Sequence, residues 1–169
     1  MWKRKHWEEC AVLRGNVHGK MYSTVLALLD AQDFRGIVDL TVEATKVAAD
    51  CETVGNLSTS ADIYGTLADG HEKLGTYEDA IGLLNTALPI LEKIRTDELT
   101  ANCKTIERNK LSWVCTRLAV LHRRTGLVKK ACVLFDRALV IGREAGDRQC
   151  LGNIMTEFGH DGQCHTWAV

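Results

Sequence analysis

Proline, aromatic residues and long apolar runs are all scarce in this chain, and each shortage narrows what the protein can be. Pro89 is the single proline among 169 residues, so only there is a helix expected to kink or start afresh. No stretch approaches the 18 or so apolar residues of a membrane span. There is no CxxC pair, no HExxH, no glycine-rich phosphate loop and no paired carboxylates with a plausible pocket. The chain is therefore expected to be non-catalytic and to need no cofactor. Aromatics make up 6% of the sequence and the net charge is −1, so a fold-wide basic surface for nucleic acid is missing. Helical repeats that read RNA are the minor alternative.

Cysteine is not scarce, but the seven present do not form a secreted framework. The count is odd, the protein is not small, and Cys51, Cys115 and Cys132 fall at helical positions suited to burial. Reduced thiols in an intracellular compartment are expected, cytoplasmic or cytoskeleton-associated. The opening MWKRKHWEEC has no apolar region after it and is not expected to be a secretory signal, and Glu8 and Glu9 count against a transit peptide.

What the chain does have is an internal repeat. Residues 64–87 and 115–138 superpose at an offset of 51, which aligns Leu67 with Leu118, Ala68 with Ala119, His71 with His122, Gly75 with Gly126, Ala80 with Ala131 and Ala87 with Ala138. Such self-similarity marks units that bury their apolar faces by stacking on one another. Within the unit, Tyr64, Leu67, Ala68 and His71 recur at steps of three and four, and Ala80, Ile81, Leu84, Ala87 and Leu88 do so after Tyr77. Two helices are expected, with Gly75 supplying the left-handed residue that ends the first. Ala68 and Ala80 are small where the two axes must approach.

At Tyr64, Leu67, Ala68, His71, Gly75, Tyr77, Ala80, Leu84 and Ala87 the sequence resembles the tetratricopeptide repeat family. Cys115, Leu118, Ala119, His122, Gly126, Val128, Ala131, Phe135 and Ala138 repeat the match, departing from it at Val128, where an aromatic is usual. A weaker unit upstream has Leu28, Gln32, Phe34, Ile37 and Ala44, and a partial one downstream has Leu151, Ile154, Phe158 and Gly162. The family's closing proline is missing. ALVIGREAGDRQCLGN at 138–153 is similar to the extended repeats of G-protein-signalling modulators, rapsyn-like scaffolds and kinesin light chains. The resemblance implies an all-α fold, a right-handed superhelical array of about four antiparallel helical hairpins. Its units would lie near 20–56, 60–98, 108–146 and, in part, 148–169, with 1–19 as an N-terminal extension or docking arm.

Charge divides along the chain. Residues 30–98 carry fourteen acids against five bases, a net of −9, whereas residues 104–130 carry eight bases against one acid, a net of +7. In the resembled family the first helix of each unit lines a concave groove, which implies Asp62, Asp69 and Glu72 in one unit and Trp113, Arg117, Arg123 and Arg124 in the next as partner-binding residues. A tryptophan beside several arginines has the composition of an interface hot spot. The expected partner is a protein or peptide with an acidic segment, and Tyr22, Gly65 and Thr116 stand where a carboxylate clamp for chaperone tails would need lysine.

The expected role is a non-catalytic interaction scaffold. The alternative is a structural subunit of a large ciliary, cytoskeletal or organellar assembly. Trp167 and Val169 are expected either to fold back over Ile154 and Phe158 or, the preferred reading, to meet another subunit at the C-terminal end, while Trp2 and Trp7 belong to a docking arm or a frayed end. Cys150, His160, Cys164 and His165, like His6 and Cys10, lack a recognised zinc spacing, so no metal is expected.

Overall fold

In the computed structural model, residues 17–94, 99–146 and 148–159 are described. They form seven helices and, among the described residues, no strand: α1 (Val17–Asp30), α2 (Phe34–Thr53), α3 (Leu57–Leu74), α4 (Tyr77–Glu92), α5 (Ala101–Arg124), α6 (Val128–Ala145) and α7 (Arg148–Gly159). The fold is all-α. By packing, the chain divides into two compact units, Met1–Ile90 and Leu91–Val169, and the division falls in the last turn of α4. That helix runs through Pro89 and ends at Glu92, without a restart. The proline leaves the Asn85 carbonyl without its intrahelical donor, and the helix closes within a turn.

One turn is used four times. Gln32, Gly55, Gly75 and Gly126 all have positive φ, between 56° and 82°. Each donates its N–H to the carbonyl three residues back, and the residue after it donates to the carbonyl five back: Asp33 to Leu28, Asn56 to Cys51, Thr76 to His71 and Leu127 to His122. This pair of bonds satisfies two carbonyls that a helix end leaves open. That following residue also accepts the first bond of the next helix, from Ile37, Ser60, Ala80 and Ala131 respectively. Two residues thus stop one helix and start another. Gly75 and Gly126 take the left-handed conformation expected of them, and Gln32, at the equivalent place, is the one non-glycine residue of positive φ among those described.

In the first unit α1 packs on α2 and on α3, and α2 packs on α3. The predicted stripe Tyr64, Leu67, Ala68 and His71 is buried, joined by Ile37, Ala44, Ala48 and Cys51 of α2 and by Val25 of α1. Gly70 sets the α2 to α3 spacing, because a Cβ built there would lie 2.5 Å from Ile37 Cγ2 and 2.9 Å from its Cβ. Ile37 is β-branched, fully buried and unable to swing away.

His71 ties three helices together. Its Nε2 lies 3.0 Å from Thr41 Oγ1 on α2, and its Nδ1 lies 2.8 Å from the hydroxyl of Thr76, the residue that starts α4. Thr41 also donates to the Ile37 carbonyl and Thr76 to the carbonyl of His71 itself, both at 3.1 Å, so each hydroxyl links the ring to a backbone carbonyl. Burial lowers the imidazole pKa, and the Asp79 carboxylate, 3.7 Å from Nδ1, offsets this in part.

The second unit repeats the device with other chemistry. Helix α5 packs antiparallel on α6, and α7 packs on both. Leu118, Ala119, Ala131, Phe135 and Ala138 are buried as expected, while His122 is only half-buried. Where the first unit has Thr76 the second has Leu127, and His122 Nδ1 has no partner. Ser112, fully buried, donates to the Ala138 carbonyl at 2.9 Å. Gly142 lets α5, α6 and α7 converge, since a Cβ there would stand 3.1 Å from Leu151, 3.3 Å from Ile154 and 3.5 Å from Ser112. Arg108 pairs with Glu144 at 3.1 Å, and Arg137 pairs with Glu92.

The two kinds of helical glycine have opposite expected responses to alanine. Gly82 on α4 has nothing within 4 Å of a built Cβ, so Gly82→Ala should stabilise by about 0.5–1 kcal/mol. Gly70→Ala should destabilise by about 1–3 kcal/mol from overpacking against Ile37, despite the same propensity gain. Urea midpoints of the two variants beside the wild type check both signs.

Because the folded pKa of His71 lies below its unfolded value of about 6.5, the unfolded chain takes up a proton first. Its contribution is complete above the unfolded pKa and is lost as the pH falls from there toward the lower folded value. In His71→Gln, unfolding stability measured between pH 7 and 5 should therefore fall less steeply than in the wild type.

Candidate interaction surface

The residues suggested for partner binding sit on two helices in separate units. Helix α3 carries Asp62, Asp69 and Glu72, and α5 carries Trp113, Arg117, Arg123 and Arg124. At about 100° per residue, Asp62 and Asp69 project within about 20° of one another, and Glu72 stands about 60° from Asp69. Exposure follows the angle: Asp62 and Asp69 are half-buried, whereas Glu72 is only 7% exposed. Asp62 lies near Tyr22 of α1. Burial first, and then the Asp62 charge, push the Tyr22 phenol pKa up.

On α5, Trp113, Arg117 and Arg124 fall within an arc of about 40°. Trp113 is 37% exposed, Arg117 half-buried and Arg124 exposed. Arg123 points elsewhere, about 100° from Arg124. Its guanidinium donates to the Glu157 carbonyl of α7 at 2.7 Å and stands 5.9 Å from the centre of the Phe135 ring, a cation–π distance. Arg123 thus joins α5 to α6 and α7, although it shares its sequence neighbourhood with Arg124.

Beside that arc lies a feature that charge counting alone did not single out. His122, Lys129, Lys130, Val133 and Leu134 line an open hollow of about 390 Å³ at the α5 to α6 turn. Lys129 and Lys130 are exposed, and Val133 is 68% exposed. Burial lowers the His122 pKa and the Lys130 charge lowers it further, so the ring is neutral at pH 7. The legible signal was spacing: Val133 follows two lysines by four and three residues, which puts all three on one helix face.

Two of the thiols placed by the fold are inert, whereas Cys132, at a position expected to be buried, is half-exposed. Cys51 and Cys115 are fully buried, and burial pushes both up to about 11. For Cys51 the neighbouring Asp50 adds to the rise. For Cys115, Arg137 lowers and Glu92 raises the value. Neither is a thiolate at pH 7. The cysteine and histidine groups considered for zinc (His6 with Cys10; Cys150 with His160, Cys164 and His165), like Trp2, Trp7, Trp167 and Val169, lie outside the described residues or have side chains outside them. No helix among the described residues is long and apolar enough to cross a membrane. Compared with known proteins, the chain matches no family model, no curated protein and no solved structure.

Proposed function

We propose that this chain is a non-catalytic protein-interaction scaffold built as a tetratricopeptide-like right-handed array, which holds an acidic segment of its partner along the first helices of its units. One observation carries the reading: the same two-residue helix-to-helix turn recurs at Gln32, Gly55, Gly75 and Gly126, and the helices flanking Gly75 and Gly126 bury small and large residues in the same order. A backbone device repeated with changing surface residues is the economy of a recognition array, in which the frame is constant and the exposed positions choose the partner. The arc of Trp113, Arg117 and Arg124 on α5 supports the chemistry, because a partly exposed indole flanked by guanidinium groups suits a carboxylate-bearing segment with an apolar side chain.

Asp62 and Asp69 of α3 would meet basic residues of a partner. Glu72 and Arg123 serve the reading as supports of the surface, since one is buried and the other is engaged with α6 and α7. The structural-subunit alternative differs in that the isolated chain would depend on neighbouring proteins for its solubility.

Fluorescence polarisation with a labelled peptide of alternating glutamate and leucine tests the proposal. Arg117→Glu together with Arg124→Glu should weaken binding at least tenfold, about 1.4 kcal/mol or more, while leaving the helical circular dichroism unchanged. Trp113→Ala should weaken it by a similar factor. Undiminished binding in both variants would remove the α5 arc from the interface.

A further inference from the structure

We propose that copies of this chain associate through unlike faces, the acidic, valine-centred face of α2 in one copy seating on the basic, valine-centred face of α6 in another. On α2, Asp39, Val42 and Glu43 lie one helical turn apart on a single face, and all three are exposed. On α6, Lys129, Lys130 and Val133 share a face in the same way and line the hollow described above. Val42 and Val133 are each 68% exposed, the highest values among the large apolar side chains of the described residues. Isolated exposed valines are ordinary. Two of them, each framed by a pair of like charges, make a matched set of opposite sign, in which Lys46, four residues after Val42, and Asp136, three after Val133, are the minority charges.

The charges on these faces are available. Neither Asp39, Glu43, Lys129 nor Lys130 has an ion-pair partner among the described residues. The wider field agrees with the local pattern. Met1–Ile90 carries thirteen acids and eight bases, a net of −5, and Leu91–Val169 carries thirteen bases and nine acids, a net of +4. Each unit therefore attracts the other unit of a second copy and repels its own kind.

That sign pattern decides the pairing. Pairing α2 with α2 or α6 with α6 would set acid on acid or lysine on lysine. Pairing α2 with α6 brings opposite charges together, whether each copy's α2 meets the other's α6 in a closed dimer or the contact runs on from copy to copy. The surface is small, so the assembly is expected to be weak and dependent on salt. It uses α2 and α6 and does not rest on the peptide-binding reading of α3 and α5.

Sedimentation velocity on the whole chain at about 100 µM tests this as sodium chloride rises from about 0.01 to about 1 M, over which the Debye length shrinks from about 30 to about 3 Å. At low salt the average mass should exceed the 18.7 kDa of one chain and grow with concentration, returning to one chain at high salt. Asp39→Lys with Glu43→Lys should be monomeric alone, as should Lys129→Glu with Lys130→Glu, and an equimolar mixture of the two should associate again. Val42→Asp alone should also abolish association. A wild type that stays monomeric at low salt overturns the proposal, as does either double variant associating by itself or a mixture that remains monomeric. Monomeric wild type that captures the glutamate–leucine peptide through Lys129 and Lys130 would assign the α6 face to a different protein.

Discussion

The arrangement depends on how a helix is stopped. At Gln32, Gly55, Gly75 and Gly126 one residue turns left-handed, two N–H groups close back on the preceding helix, and the next helix starts at once. With no slack between helices, neighbours lie against one another across the turns at Gln32, Gly55 and Gly126. Glycine makes the turn inexpensive at three of the four places. Gln32 adopts it without that advantage, which means the packing of α1 on α2 and α3 offsets the strain.

The close contacts then refine the spacing. In the first unit the approach of α2 and α3 is set at Gly70 against Ile37, and His71, one residue later, fastens that approach to α4 through Thr76. In the second unit the same role is divided. Gly142 provides room for Ser112, Leu151 and Ile154, while Arg123 reaches the Glu157 carbonyl over the Phe135 ring. The repeat has kept its turn and exchanged its fastenings, a buried imidazole network in one copy for a guanidinium in the other.

This exchange explains what could be read in advance. Helix identity, the left-handed Gly75 and Gly126, and the buried stripes through Leu67, Ala68, Leu118 and Ala119 depend on periodicity and backbone conformation, which a sequence displays directly. The burial of Glu72 and the engagement of Arg123 depend on which way a residue one position off the stripe projects, and on what the third helix brings to it. Glu72 and Arg123 occupy the same place in the two copies, 51 residues apart, and both prove to be turned toward structure. Gly70 carried a usable signal that alternation hid: a glycine in mid-helix costs about 1 kcal/mol against alanine, so it implies a close neighbour or a tolerated loss. Gly82 gives the same signal and has no neighbour.

Opposite charge on a shared frame has a consequence for how the two halves evolve their surfaces. The turn, the small residues and the stripe consume the inward positions of each helix pair, so variation can enter only outward, where Asp62 in one copy corresponds to Trp113 in the other. An outward position contributes little to stability, since exposed charges are worth under about 1 kcal/mol each. A net charge of opposite sign in the two units therefore costs the fold little, yet it sets which surfaces approach and which avoid one another. Folding is governed by the inward residues, which leaves the outward ones to the recognition proposed for them, and Glu72 and Arg123 stand at the border, where an ionisable side chain is held by the frame.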